Sequence, residues 1–160
     1  MSIFLTIILA GVAACIIFDL WQICLQRLVG IPATNWGVIG RWLVIALTTG
    51  RFINETLDDT PAINHEAAAG WSLHYAVSIG YGVIYAALMY KTPYLDATWL
   101  DGVYFGAASV VVPWFIFLPC IGKGVLARKT PKPLLVCGVA LIGHIIFGVA
   151  MALSFGILGS

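Results

Sequence analysis

Four long apolar stretches dominate this sequence, and each is long enough to cross a lipid bilayer as an α-helix. They run from about Ile3 to Cys24, Ala67 to Tyr90, Thr98 to Leu118 and Leu134 to Leu158. A hydrocarbon core about 30 Å thick takes about 20 apolar residues per helical span. The stretches are too long and too evenly apolar for the alternating strands of a β-barrel. Composition agrees. Of 160 residues, 61% are hydrophobic and 9% are charged, against about 25% charged in a soluble domain. So few charges exclude an ordinary soluble enzyme and a disordered chain. A net charge of +1 gives no electrostatic footprint for nucleic acid, so no nucleic-acid partner is expected. The expected fold is all-α: a polytopic membrane protein, one transmembrane domain over residues 1–160 with four spanning helices.

Val12-Ala13-Ala14-Cys15 has the look of a lipoprotein cleavage box. No Lys or Arg precedes it, however, and the apolar run continues through Ile16, Ile17 and Phe18. A cleaved signal needs the opposite on both counts, so the expectation is an uncleaved helix. Orientation follows from basic residues in the loops. Residues 25–66 carry Arg27, Arg41 and Arg51, and residues 119–133 carry Lys123, Arg128, Lys129 and Lys132. The opposite side has only Lys91. The two long loops should face the cytoplasm, and both termini should face outward. Within the first loop, residues 36–48 are apolar, carry Trp36 and Trp42, and are too short to span. They read as an interfacial or re-entrant helix. Four of the seven acidic residues fall between Glu55 and Glu66, which reads as a solvated loop.

Polar residues inside a span are costly, so their spacing is informative. Cys15, Asp19, Gln22 and Gln26 step by four, three and four along the first span and share one face. Trp71, His74, Ser78, Tyr81 and Tyr85 do the same in the second. In the fourth, His144, Gly148, Ala152 and Gly156 form one row, whose small residues suit close helix packing in lipid. Asp19 and His74 both lie near the cytoplasmic ends of their helices and could meet. The resulting candidate polar track is Asp19, Gln22, His74, Ser78, Tyr81 and His144. Candidates on the cytoplasmic face are Arg41, Arg51, Glu66, Lys123 and Arg128. Pro113 should kink the third span and Pro119 should end it.

No catalytic triad, zinc-protease motif or dinucleotide fingerprint is present. The four cysteines form no Cys-x-x-Cys pair, so neither a metal nor a cofactor is expected. A weak internal repeat pairs Gly37-Val38-Ile39-Gly40-Arg41 with Gly124-Val125-Leu126-Ala127-Arg128. It would make two helical hairpins in the same orientation.

Several segments together carry a family resemblance. They are Gly30-Ile31-Pro32, Asn35 to Trp42, Gly50-Arg51-Phe52, Glu66, Gly70-Trp71 and His74-Tyr75. Pro119, Gly122, Gly124, Arg128, Thr130-Pro131, Pro133, His144 and Phe147-Gly148 follow in order. Over nearly its whole length the chain resembles the bacterial multi-pass membrane family catalogued as domain of unknown function 2938. That resemblance implies a bacterial inner-membrane location and the same architecture, and it implies no activity. Two functional classes follow from the residues themselves. One is a small transporter or channel-like protein for a proton, ion or small polar solute, working as a homo-oligomer in membrane lipid. The other is an accessory or scaffolding protein whose polar groups only join helices. An intramembrane enzyme would need His74, Glu66 and Arg41 to converge on one pocket.

Overall fold

The computed structural model describes residues 1–93 and 95–159. The described residues are all helix, turn and loop. Helix α1 (Ile3–Val29) is followed by α2 (Trp36–Thr49), α3 (Glu66–Lys91) and α4 (Trp99–Ser109). A π-helical turn (Pro113–Phe117) leads into the short α5 (Leu118–Cys120), and α6 (Pro133–Leu158) closes the chain. Four helical segments are long and apolar enough to cross a membrane: Ile3–Val29, Glu66–Lys91, Trp99–Cys120 and Pro133–Leu158. α2 is the shorter apolar helix. The all-α reading with four spans therefore holds.

Helix ends follow local chemistry. The Ser2 hydroxyl accepts from the Leu5 amide at the start of α1. The Asn35 side chain accepts from the Gly37 and Val38 amides, at 3.0 and 3.3 Å, and starts α2. α1 does not stop near Cys24 but continues to Val29, where Gly30 turns left-handed. Its 27 residues span about 40 Å, so its last turns outrun a hydrocarbon core. Arg27 lies in that exposed end. Pro113 lacks an amide proton, and the helix answers with the π-helical turn. Pro119 does not end the span, because Cys120 is still helical. The stop comes at Gly122, whose φ is 79°, a conformation that strains any residue with a Cβ.

The chain packs as two compact units. The first comprises Met1–Ala33, Tyr75–Ser109 and Leu141–Ser160; the second comprises Thr34–His74 and Val110–Ala140. In the first, Ala10, Ala14, Tyr85, Phe105, Phe147, Met151 and Phe155 form a buried core. Glycines let its helices approach closely. A Cβ on Gly106 would lie 2.2 Å from the His144 carbonyl, and one on Gly148 would lie 2.2 Å from the Gly102 carbonyl. This is the small-residue packing expected where lipid supplies no hydrophobic drive between helices.

The second unit is built on α2 against the start of α3. A Cβ on Gly40 would fall 1.8 Å from the Glu66 carbonyl, and one on Gly70 would fall 1.7 Å from that of Trp36. Ile39, Leu57 and Ile121 bury together beneath these helices. The acidic loop is therefore not simply solvated. Leu57 is 1% exposed and Asn54 is 5% exposed, and the Asn54 amide donates to the Cys120 carbonyl at 2.8 Å. Burying a leucine side chain stabilises by about 2 kcal/mol, and the neighbouring Glu55, Asp58 and Asp59 stay exposed. The repeat reading also fails here. Gly37 to Arg41 is α-helical. Gly124 to Arg128 instead forms a tight turn in which Leu126 and Ala127 have φ of 53° and 56°.

Gly40→Ala and Gly70→Ala should each prevent α2 from seating on α3, a loss of about 3 kcal/mol or more. Gly80→Ala, whose added methyl meets nothing within 4 Å, should be silent. Thermal stability of the detergent-purified variants by intrinsic fluorescence tests this; equal midpoints for all three would refute the close packing.

Candidate functional site

In the first unit a row of polar side chains crosses between helices. Asp19 on α1 is half-buried and accepts from the Tyr75 hydroxyl of α3 at 3.3 Å. Ser78, about one turn along α3, is buried and donates to the Gly11 carbonyl at 2.6 Å. Tyr81 donates to the Ser109 carbonyl at 3.3 Å. The Ser109 hydroxyl lies 2.8 Å from both the Gly106 carbonyl and His144 Nδ1. One hydroxyl proton can serve one of these acceptors. If it goes to Gly106, His144 carries its own proton on Nδ1 and leaves Nε2 as an acceptor; if it goes to His144, the tautomer reverses. Phe18, Tyr81 and Phe147 surround the imidazole at centroid distances of 6.4, 6.3 and 6.4 Å. Gln22 is buried on α1, 7% exposed.

These bonds are of two kinds. Ser78 and Tyr81 donate to backbone carbonyls of another helix, which ties helices together in lipid. Asp19–Tyr75 and Ser109–His144 join side chains that can both take and give a proton, the parts from which relays are made.

The second unit holds the charged residues. Arg41 lies on α2 and is 8% exposed. Its guanidinium meets the Glu66 carboxylate in two parallel bonds, Nε to Oε2 at 2.8 Å and Nη2 to Oε1 at 3.0 Å. It also donates to the Thr60 carbonyl. Glu66 Oε2 accepts from the Ile63 amide at 3.0 Å, so the carboxylate caps α3 while it holds α2. The hydrogen bonds it donates to Glu66 push the Arg41 pKa above its ordinary value. With both groups joining α2, α3 and the loop between them, the arrangement is a clamp. His74 stacks on Trp36 at 3.8 Å between ring centroids, with Trp71 5.8 Å away. Asp19 belongs to the first unit and His74 to the second.

Lys123 pairs with Asp58, and Lys129 pairs with Glu55 at 2.8 Å. The hydrogen bond from Lys129 holds the Glu55 carboxyl below its usual range. The two charged loops thus meet, the acidic one against the basic one. Both pairs are solvent-exposed and add little stability individually. Arg51 and Arg128 are exposed.

Tyr75 and Ser109 were not among the residues expected at a site, and both make its side-chain pairs. Ser109 was within reach. Gly102, Gly106 and Ser109 step by four and three on one face, the same signal that marks the His144 row. Tyr75 gave no such cue, since it adjoins the polar stripe of α3 rather than falling on it.

A protein family described as "Protein of unknown function (DUF2938)" matches residues 8–158, and the chain belongs to it. No curated protein and no solved structure matches the chain. Family membership and four apolar helices are compatible with a membrane protein.

Breaking the clamp should lower stability, because one half-buried charge is left unpaired. Glu66→Gln and Arg41→Lys should both lower the thermal midpoint, the lysine because it cannot form the two-pronged contact. If R41K melts like wild type, the bidentate geometry contributes nothing.

Proposed function

We propose that this protein is a small transporter or channel-like protein for a proton, an ion or a small polar solute in a bacterial cytoplasmic membrane. The observation that carries the reading is the pairing of Asp19 with Tyr75 and of Ser109 with His144 on helices of one unit. A carboxylate and an imidazole held on spanning helices are functional candidates, since hydrocarbon penalises both. The basic loops at Arg41, Arg51, Lys123 and Arg128 support a cytoplasmic location for that end, with both termini outside. α2, with its two tryptophans, lies at the membrane interface in this reading. Four spans make a small bundle, so the working form is a homo-oligomer. No resident cofactor or metal is invoked.

The accessory reading draws on a separate observation. Ser78 and Tyr81 donate to backbone carbonyls, which is helix-joining chemistry. The two readings separate in proteoliposomes carrying a pH-sensitive dye. Wild type should dissipate an imposed pH gradient at least tenfold faster than empty vesicles. Asp19→Asn should abolish the excess while eluting as wild type. Proton flux equal to that of empty vesicles, with no excess uptake of a radiolabelled cation or small polar solute, would leave the accessory role. Orientation is tested by cysteine labelling in intact cells: a cysteine at Asp96 should react with an impermeant maleimide, and one at Arg128 should not. The reverse pattern overturns the topology.

A further inference from the structure

The first unit has a cleft that the polar row does not use. Its volume is about 520 Å³, and its walls include Ile3, Thr6 and Ile7 of α1 with Val83, Ala87 and Lys91 of α3. That size falls within the roughly 300–1,000 Å³ of small-molecule sites. The Thr6 hydroxyl is directed to the Ser2 carbonyl at 3.2 Å, so the wall it contributes is effectively apolar. A cleft along two membrane-spanning helices meets hydrocarbon, and an apolar chain is what can fill it.

One end of the cleft differs. Lys91 is the last residue of α3 and is exposed. It is the only Lys or Arg between Arg51 and Lys123. No carboxylate among the described residues pairs with it. The Asp101 carboxylate accepts from the Thr98 hydroxyl and the Asp96 amide. A lysine at the end of a spanning helix sits at headgroup depth, where its complement is a phosphate.

We propose that this cleft holds one acyl chain of an anionic phospholipid, with the lipid phosphate at Lys91. The apolar walls select the chain, and the exposed ammonium selects a negatively charged headgroup over a zwitterionic one. The proposal is independent of any transport activity.

Native mass spectrometry of the detergent-purified protein, with phosphatidylglycerol or phosphatidylcholine added, tests it. Wild type should retain one phosphatidylglycerol about fivefold more strongly than phosphatidylcholine, the factor that one lysine supplies near a charged headgroup. Lys91→Gln should remove that preference and leave weak binding of both lipids. Ala87→Trp, at an exposed position of the cleft wall, should eliminate the bound lipid. Ile142→Trp, at an exposed position on α6, should keep it. Equal retention of the two lipids by wild type, an unchanged preference in K91Q, or an undiminished adduct in A87W would each overturn the proposal. Should A87W fail to elute as wild type, K91Q decides, since its side chain is exposed at a helix end.

Discussion

Hydrocarbon offers no partner to a polar group, and this one constraint organises most of what the chain does. Backbone amides must bond within their own helix, so the apolar stretches become four helices. Polar side chains must find partners on another helix, so they gather in rows. Ser78 reaches the Gly11 carbonyl, Tyr81 reaches that of Ser109, and the Ser109 hydroxyl reaches His144. Because lipid does not drive helices together, contact depends on fit. The close approach of Gly102 and Gly106 to the His144–Gly148 stretch is that fit. The site and the packing are thus one arrangement, since the glycines that bring α4 against α6 also bring Ser109 to His144.

The second unit answers a different problem, the placing of a short helix that cannot span. α2 is held by shape and by charge at the same points. Gly40 and Gly70 allow backbone contact, and Arg41, one residue beyond Gly40, grips Glu66. Glu66 also receives the Ile63 amide, so the carboxylate fixes both the start of α3 and the seat of α2. A buried pair of this kind is weak evidence for net stability; what it does here is join α2, the start of α3 and the loop between them. The exposed pairs Lys123–Asp58 and Lys129–Glu55 join two loops that bury Leu57 and Ile121.

The spans, the short apolar helix and the stripe on α3 were all legible in the residues. Length and periodicity are local properties, and a helix in lipid obeys them closely. The ends were less legible. α1 outran its apolar stretch because a helix continues in water until something stops it, and Gly30 is what stops it. The acidic loop looked like solvent-facing chain because four charges outnumber one leucine. Only packing shows Leu57 and Asn54 buried.

By itself, the sequence determined that this chain is a four-span helical membrane protein and which faces of its helices carry polar groups. Hydropathy and helical period act residue by residue along the chain, so no partner is needed to see them. The tertiary structure decided which polar groups meet. It paired Asp19 with Tyr75, His144 with Ser109 and Arg41 with Glu66. Those pairings depend on how far one helix slides and turns against another, and glycines distant in sequence set that offset through backbone contact.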